Sequence, residues 1–352
     1  MEALSVTARQ ELDLVIGCSF TRYQTKFFHG KYGDLDTNLV SYGPCQVPTL
    51  GFCVTRHDEI ENFVSKPYWL LSAVVVPVGS SSRQFIDLQW VGDREFKQER
   101  IKQLHNQIKS FREAFVEGLK KSKKTVPRPK ALNTVEMLKI ASSRLGIGPH
   151  VAMQTAEKLY TQGYISYPRT ETDQYPKNFN LRECLSIQEK SSVWGKSVSE
   201  LLRDGIANPR SGSDHGDHPP ITPMRSAEMH ELNGDSWRIY DFITRHFISS
   251  LAPDMIKEVI SMVINIGGQK FKATCSSVIE PGFTRFMHRS RSEEDEDGED
   301  EQALIPINMK EGDKVLVSET KIVEKRTQPP GYLTESGKLF LFFSIFFLIF
   351  LI

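Results

Sequence analysis

The sequence predicts a multidomain α+β protein in which one β domain is split by a helical insertion and preceded by a helical segment. Three observations predict it. Short β-rich runs occupy Tyr68–Val76 and Gln84–Trp90, and return over Glu258–Ile266, Lys270–Val278 and Lys314–Val323. A mostly helical block, 131–250, separates the two groups, and a further helical pattern fills much of 1–62. Strands on both sides of a helical block read as one β domain with an insertion.

The first helix rests on Ala8–Gly17, where leucines and an isoleucine recur at helical spacing with charges opposite. Ser41–Gly51 is punctuated by glycine and proline and reads as a shaped loop entering a short helix. After the first two strands, Ile101, Leu104 and Ile108 share one helix face. Lys120–Lys130 is basic and marked by prolines, which predicts a solvated hinge with some attraction for phosphate. Asn133 with Glu136 predicts a helix cap, Leu138, Ala141 and Leu145 the inner face, and Gly146 the stop. Pro149 suits the first turn of the next helix, whose inner stripe is Ala152, Ala156 and Leu159. Trp237–Ile248 is amphipathic, and its aromatics are expected in the core.

Length and charge narrow the classes. A chain of 352 residues holds two or three domains, or one large interrupted one. With 39% hydrophobic and 25% charged residues, it has a globular composition. Lysine plus arginine balance aspartate plus glutamate at 44 each, yet eight of the acids lie in Glu293–Glu301. That run predicts a disordered acidic loop. The remaining chain has 44 basic against 36 acidic residues, a charge of +8 that permits nucleic acid as a partner. Cys18, Cys45, Cys53, Cys184 and Cys275 are scattered without a close pair, which predicts reduced thiols and not a disulfide framework or zinc site. The N-terminal residues lack a signal-peptide pattern, so an intracellular chain is expected.

The chemistry concentrates at Gly163–Thr172. Gly163 is a natural helix stop, and Pro168 disfavours helical angles at Tyr167. Arg169, two residues on, carries a planar fork suited to phosphate oxygens. A phenol ordinarily titrates near 10, so attack at neutral pH needs a base or a positive field. Taken alone, a Tyr-Pro pair is most often turn punctuation with a half-buried ring. A second cluster, Asp214-His215-Gly216-Asp217-His218, has metal-ligand residue types, but neighbours along one loop seldom converge on one ion.

The stretch from Leu159 to Glu171 closely resembles the active-site segment of type IA DNA topoisomerases, most of all the beta form of eukaryotic topoisomerase III. Asp217–Pro223, Ala8–Asp13 and Ser41–Leu50 resemble further segments of that family, and the resemblance extends over about 1–335. It weakens near 79–125 and 285–305. It implies that Tyr167 is the nucleophile, that Arg169 positions the phosphate, and that His218 binds the scissile phosphate or shuttles a proton. Glu171 is a weaker candidate. The resemblance also implies that Ser41, Gln46, Arg169 and Thr170 contact nucleic acid. Many family members carry arginine where this chain has Cys45, which leaves Gln46 as the better-supported contact there.

The resemblance implies the following domains. Residues 1–62 would begin a helical base domain holding a single-strand groove. Residues 63–130 and 251–326 would form two parts of a β arch, the first ending in a linker. Residues 131–250 would be a winged-helix or CAP-like helical domain bearing the tyrosine. Residues 327–352 would return to the base domain, with Leu339–Ile352 as an apolar tail, too short to span a bilayer and expected as a truncated or alternative C-terminus.

The implied function is topoisomerase activity: single-strand cleavage through a 5′-phosphotyrosine link, strand passage and religation. Single-stranded DNA is the expected partner, with RNA as an alternative, alongside a protein scaffold and no membrane partner. The expected location is nuclear, with the cytoplasm as a second compartment. The family uses Mg²⁺ held by carboxylates of a Toprim domain. No such motif stands in this sequence, so the chain is expected to begin downstream of that domain and to lack activity by itself. Two other classes follow, a non-catalytic single-strand clamp and a membrane-associated protein using the tail.

Overall fold

The computed structural model describes residues 2–32, 38–44, 46–78, 85–216, 218–287 and 309–333. The acidic run 293–301, the apolar stretch 339–352, Cys45 and Asp217 lie outside them. The chain forms two compact units, Met1–Ser65 with Gln328–Ile352, and Lys66–Thr327.

The first unit contains α1 (Glu2–Phe28) and α2 (Gln46–Glu61). Thr21 and Thr25, one turn apart on α1, bind the loop that precedes α2. Their hydroxyls accept from the backbone N–H groups of Tyr42 at 2.9 Å and Val40 at 3.0 Å. Phe20 and Tyr42 stack at 4.9 Å. At 16 residues α2 is longer than the short helix expected. Pro48 falls in its first turn, where a missing N–H removes no helical bond. Along the predicted apolar stripe of α1, Leu12 and Leu14 remain 60% and 69% exposed while Ile16 is half-buried.

The second unit contains a closed antiparallel barrel. Its strands are β1 (Pro67–Pro77), β2 (Ile86–Trp90), β3 (Glu113–Val126), β4 (Met255–Ile266), β5 (Gln269–Glu280) and β6 (Lys314–Arg326), in the order β1-β2-β5-β4-β3-β6. Strands from before and after the helical block therefore share one sheet. α3 (Gln98–Ile108) buries Ile101 and Ile108 in the barrel core beside Leu71, Ile86, Met262 and Phe271. Full burial of each such side chain stabilises by about 1.5–3 kcal/mol.

The predicted hinge at Lys120–Lys130 is a strand over most of its length. Lys120 to Val126 continue β3 and pair in register with Ser261 to Met255 of β4. Both faces of this stretch are largely solvated, so the lysines cover no core and leave no apolar alternation to read. Backbone pairing with β4 sets the conformation, and Pro127, without an N–H, ends it.

Beyond β3 come α4 (Thr134–Ser143), α5 (Pro149–Thr161), α6 (Leu181–Ile187), α7 (Gly195–Asp204) and α8 (Asp235–Ser250). They enclose a second core. Ala152, Ala156 and Leu159 of α5 are fully buried, as expected, with Tyr240, Ile243 and Phe247 of α8 in the same cluster. On α4 the buried face is Met137, Ile140 and Ala141; Leu138 and Leu145 are only partly covered. The Asn133 side chain accepts from the Glu136 N–H at 2.9 Å, the cap read from the sequence.

Candidate active site

α5 ends in a glycine-terminated cap that launches the tyrosine segment. Gly163 has φ +77°, its N–H donates to Tyr160 O at 2.9 Å, and the Tyr164 N–H donates to Leu159 O at 2.9 Å. This paired bonding is the Schellman arrangement, and the side chains of Leu159 and Tyr164 that it brings round are both buried in the same core cluster. The chain leaves the cap extended.

That extended chain is strapped on two sides. Along one side runs 220–224: Ile165 bridges Pro223, the Ser166 N–H donates to Thr222 O at 2.9 Å, and the Met224 N–H donates to Tyr164 O at 2.8 Å. Pro220 and Pro223 cannot donate, and the Ser166 hydroxyl completes the pairing. It accepts from the Thr222 N–H at 2.9 Å and donates to Pro220 O at 3.0 Å. On the other side Thr134, at the start of α4, directs its hydroxyl to Pro168 O at 2.7 Å and Thr170 O at 2.9 Å.

An extended chain sends alternate side chains to opposite faces. Pro168, Thr170 and Thr172 are buried, while Arg169 and Glu171 are exposed and Tyr167 is half-buried. Tyr167 and Arg169 are thus neighbours on one outer face. The Tyr167 ring meets the exposed His218 ring at 4.5 Å between centroids and 62° between planes, and meets Tyr160 of α5 at 5.2 Å and 72°. The structure brings Tyr167, Arg169 and His218 into one neighbourhood.

Thr170 stands differently from its expected nucleic-acid contact. It is 2% exposed, and its hydroxyl donates to His218 O at 2.6 Å while its N–H donates to the Thr134 hydroxyl at 2.8 Å. The alternation that exposes Arg169 turns Thr170 inward. Its role is to tie the tyrosine segment to the histidine loop. Ser41 and Gln46 are exposed in the first unit, with Gln46 opening α2.

Residues without an assigned role in the sequence support this site. Glu157 binds Arg169, with Nε donating to Oε1 at 2.7 Å. Lys130 and Asp173 form an ion pair at 2.9 Å, and Asp173 also accepts from the Ser213 N–H at 2.5 Å. Burial works to raise the Asp173 carboxyl, but the Ser213 N–H and Lys130 outweigh it and hold it below the usual range. Of these residues only Glu157 and Tyr160 had a readable signal: i, i+3 spacing on α5, flanking its apolar stripe.

Among the described residues no group of three or more His, Cys, Asp or Glu side chains is placed to hold a metal ion. Asp214 caps a local turn, accepting from the Gly216 N–H at 2.9 Å, and Asp173 is taken by Lys130. The described residues do not fit the magnesium that the resemblance implies.

The family model described as DNA topoisomerase matches residues 2–339. Over 335 residues the chain is 51% identical to DNA topoisomerase 3-beta-1 of Mus musculus, covering 95% of this chain and 38% of that protein. The corresponding Homo sapiens protein is 50% identical over the same shares, and DNA topoisomerase 3-beta of Drosophila melanogaster is 46% identical, with 95% of this chain and 37% of that protein covered. The chain thus spans less than two-fifths of the length of these relatives. Among solved structures, full-length topoisomerase I from Thermotoga maritima superposes with a TM-score of 0.68 over 96% of this chain and 53% of that one; at 21% identity, the likeness is one of fold.

Proposed function

This chain belongs to the DNA topoisomerase family, as a type IA member resembling topoisomerase 3-beta, and we propose that it uses Tyr167 to break and rejoin single-stranded nucleic acid. The observation that carries this reading is that Tyr167 and Arg169 share the outer face of a segment strapped from both sides, with the His218 ring packed against Tyr167. In the proposed step, the Tyr167 hydroxyl oxygen attacks a backbone phosphorus. A phosphorus–tyrosine ester forms as the bond to the 3′ oxygen breaks, and the phenol proton passes in net to that oxygen. No water is consumed. Religation is the reverse.

Arg169 would offset negative charge on the phosphate as it crowds to five oxygens. His218, in ring contact with Tyr167, would carry the proton or hold a phosphate oxygen. Ser41 and Gln46 would guide the strand within the first unit. Where this chemistry uses magnesium, the ion supplies charge neutralisation at the phosphate. The backbone phosphate is common to DNA and RNA, so both are proposed substrates, in the nucleus or the cytoplasm.

Covalent capture tests the proposal. A single-stranded oligonucleotide labelled at its 3′ end is incubated with the chain and magnesium, then denatured and resolved on a gel. Label should travel with the protein and fall to background with Tyr167→Phe. Binding without an adduct would favour the second reading, a single-strand clamp, which is supported by the missing metal-holding group among the described residues.

A further inference from the structure

Arg169 projects from the outer face with its guanidinium already met by a carboxylate. Beside the 2.7 Å bond from Nε, a second guanidinium nitrogen lies 2.5 Å from the same Glu157 oxygen. Both side chains remain open to solvent, 56% exposed for Arg169 and 40% for Glu157. Glu157 stands on α5 one turn before Tyr160, which meets the Tyr167 ring. One helix face therefore addresses both groups of the proposed reaction, with Tyr160 against the phenol and Glu157 against the arginine.

A phosphodiester offers the guanidinium fork the same kind of anionic oxygens as a carboxylate. The two cannot both occupy it fully. An exposed ion pair is weak enough for an incoming phosphate to displace, yet it neutralises Arg169 until that happens.

We propose that Glu157 is a positioning residue that occupies and orients Arg169 in the nucleic-acid-free protein, and that the phosphodiester backbone displaces it on binding. This rests on the phosphate role of Arg169 proposed for the active site. Glu157 sets a threshold: a strand must compete with it to reach the arginine, and after release the carboxylate can take the fork back.

The test reads equilibrium binding of a fluorescent single-stranded oligonucleotide by anisotropy, for the whole chain and its variants, over a range of salt. Glu157→Gln should bind about two- to fivefold more tightly at low salt. That gain should fade as salt screens the native pair. It should vanish in an Arg169→Ala background, and Glu157→Asp, which keeps the charge, should lie nearer the wild type. A merely structural glutamate would produce neither the salt dependence nor the dependence on Arg169. Unchanged or weaker binding by Glu157→Gln, with Arg169→Ala still weakening binding, would overturn the displacement while leaving the phosphate role of Arg169 intact. If Arg169→Ala binds as well as wild type, that role falls and this inference with it.

Discussion

Thr170 joins two parts of the site through one buried hydroxyl. It donates to His218 O at 2.6 Å and accepts from the Thr172 N–H at 3.2 Å. Thr170→Val keeps the shape and removes both bonds, and it puts a methyl where the buried hydroxyl stood. Such losses cost about 1–3 kcal/mol. The urea midpoint should fall accordingly, and covalent capture by Tyr167 should fall with it, because His218 loses its tether. An unchanged midpoint would remove Thr170 from the framework. The sequence made Tyr167 and Arg169 legible because their residue types and spacing are unusual together. The burial of Thr170 was not legible, because closeness in sequence does not mean a shared face, and in an extended chain adjacent side chains diverge.

Among the elements, α5 was legible almost completely. Its proline start, alanine–leucine stripe and glycine stop are local signals, and each corresponds to a local cause. α8 carries a property that was not legible. His246 on α8 is fully enclosed, with Nε2 2.9 Å from Lys130 O. A carbonyl only accepts, so Nε2 carries the proton. Burial, with the nearby positive charge of Arg144 adding, pushes the imidazole down to about 4, while the Lys130 bond works the other way.

Unfolded, this group titrates near 6.5. Between the two values the unfolded chain binds more protons, so stability falls as pH drops from about 6.5 to about 4 and levels off beneath. The loss attributable to His246 is about 3 kcal/mol. Denaturant midpoints at pH 7 and 4.5 should show it, and His246→Phe should flatten that interval. A variant with the wild-type slope would assign the acid sensitivity elsewhere. Asp173, held low by the Ser213 N–H and Lys130, loses its contribution only at more acid pH. The end of β3 was misread for the opposite reason to α5: its lysines face water on a strand stabilised by its partner's backbone.

For the whole molecule, insertion is the governing feature. Val126 and Met255 are register partners at the ends of β3 and β4, so the helical segment between them leaves and re-enters the barrel at one point. The two hydrophobic cores are separate clusters. Replacing 127–254 by a two-residue Asn-Gly turn should therefore leave a barrel that unfolds cooperatively, since the shorter loop also lowers the entropy of closure. Retained amide protection in the six strands would support this, and a molten product would mean that the helical core props the barrel. The barrel's own ends also meet: Lys66 and Thr327 exchange bonds, with the Thr327 N–H donating to Lys66 O at 2.9 Å and the Thr327 hydroxyl accepting from the Lys66 N–H at 2.9 Å.

By itself the sequence determined the order of helical and β segments, the caps and stops of the central helices, and the tyrosine–arginine stretch. Those depend on residues within a few positions of one another, where backbone preference and side-chain spacing act directly. Tertiary structure alone decided the barrel's strand order, the pairing of β3 with β4, the burial of Thr170 and the joining of Glu157 to Arg169. Each of these depends on a partner distant in sequence or on which face of the chain is covered, and only packing chooses that partner.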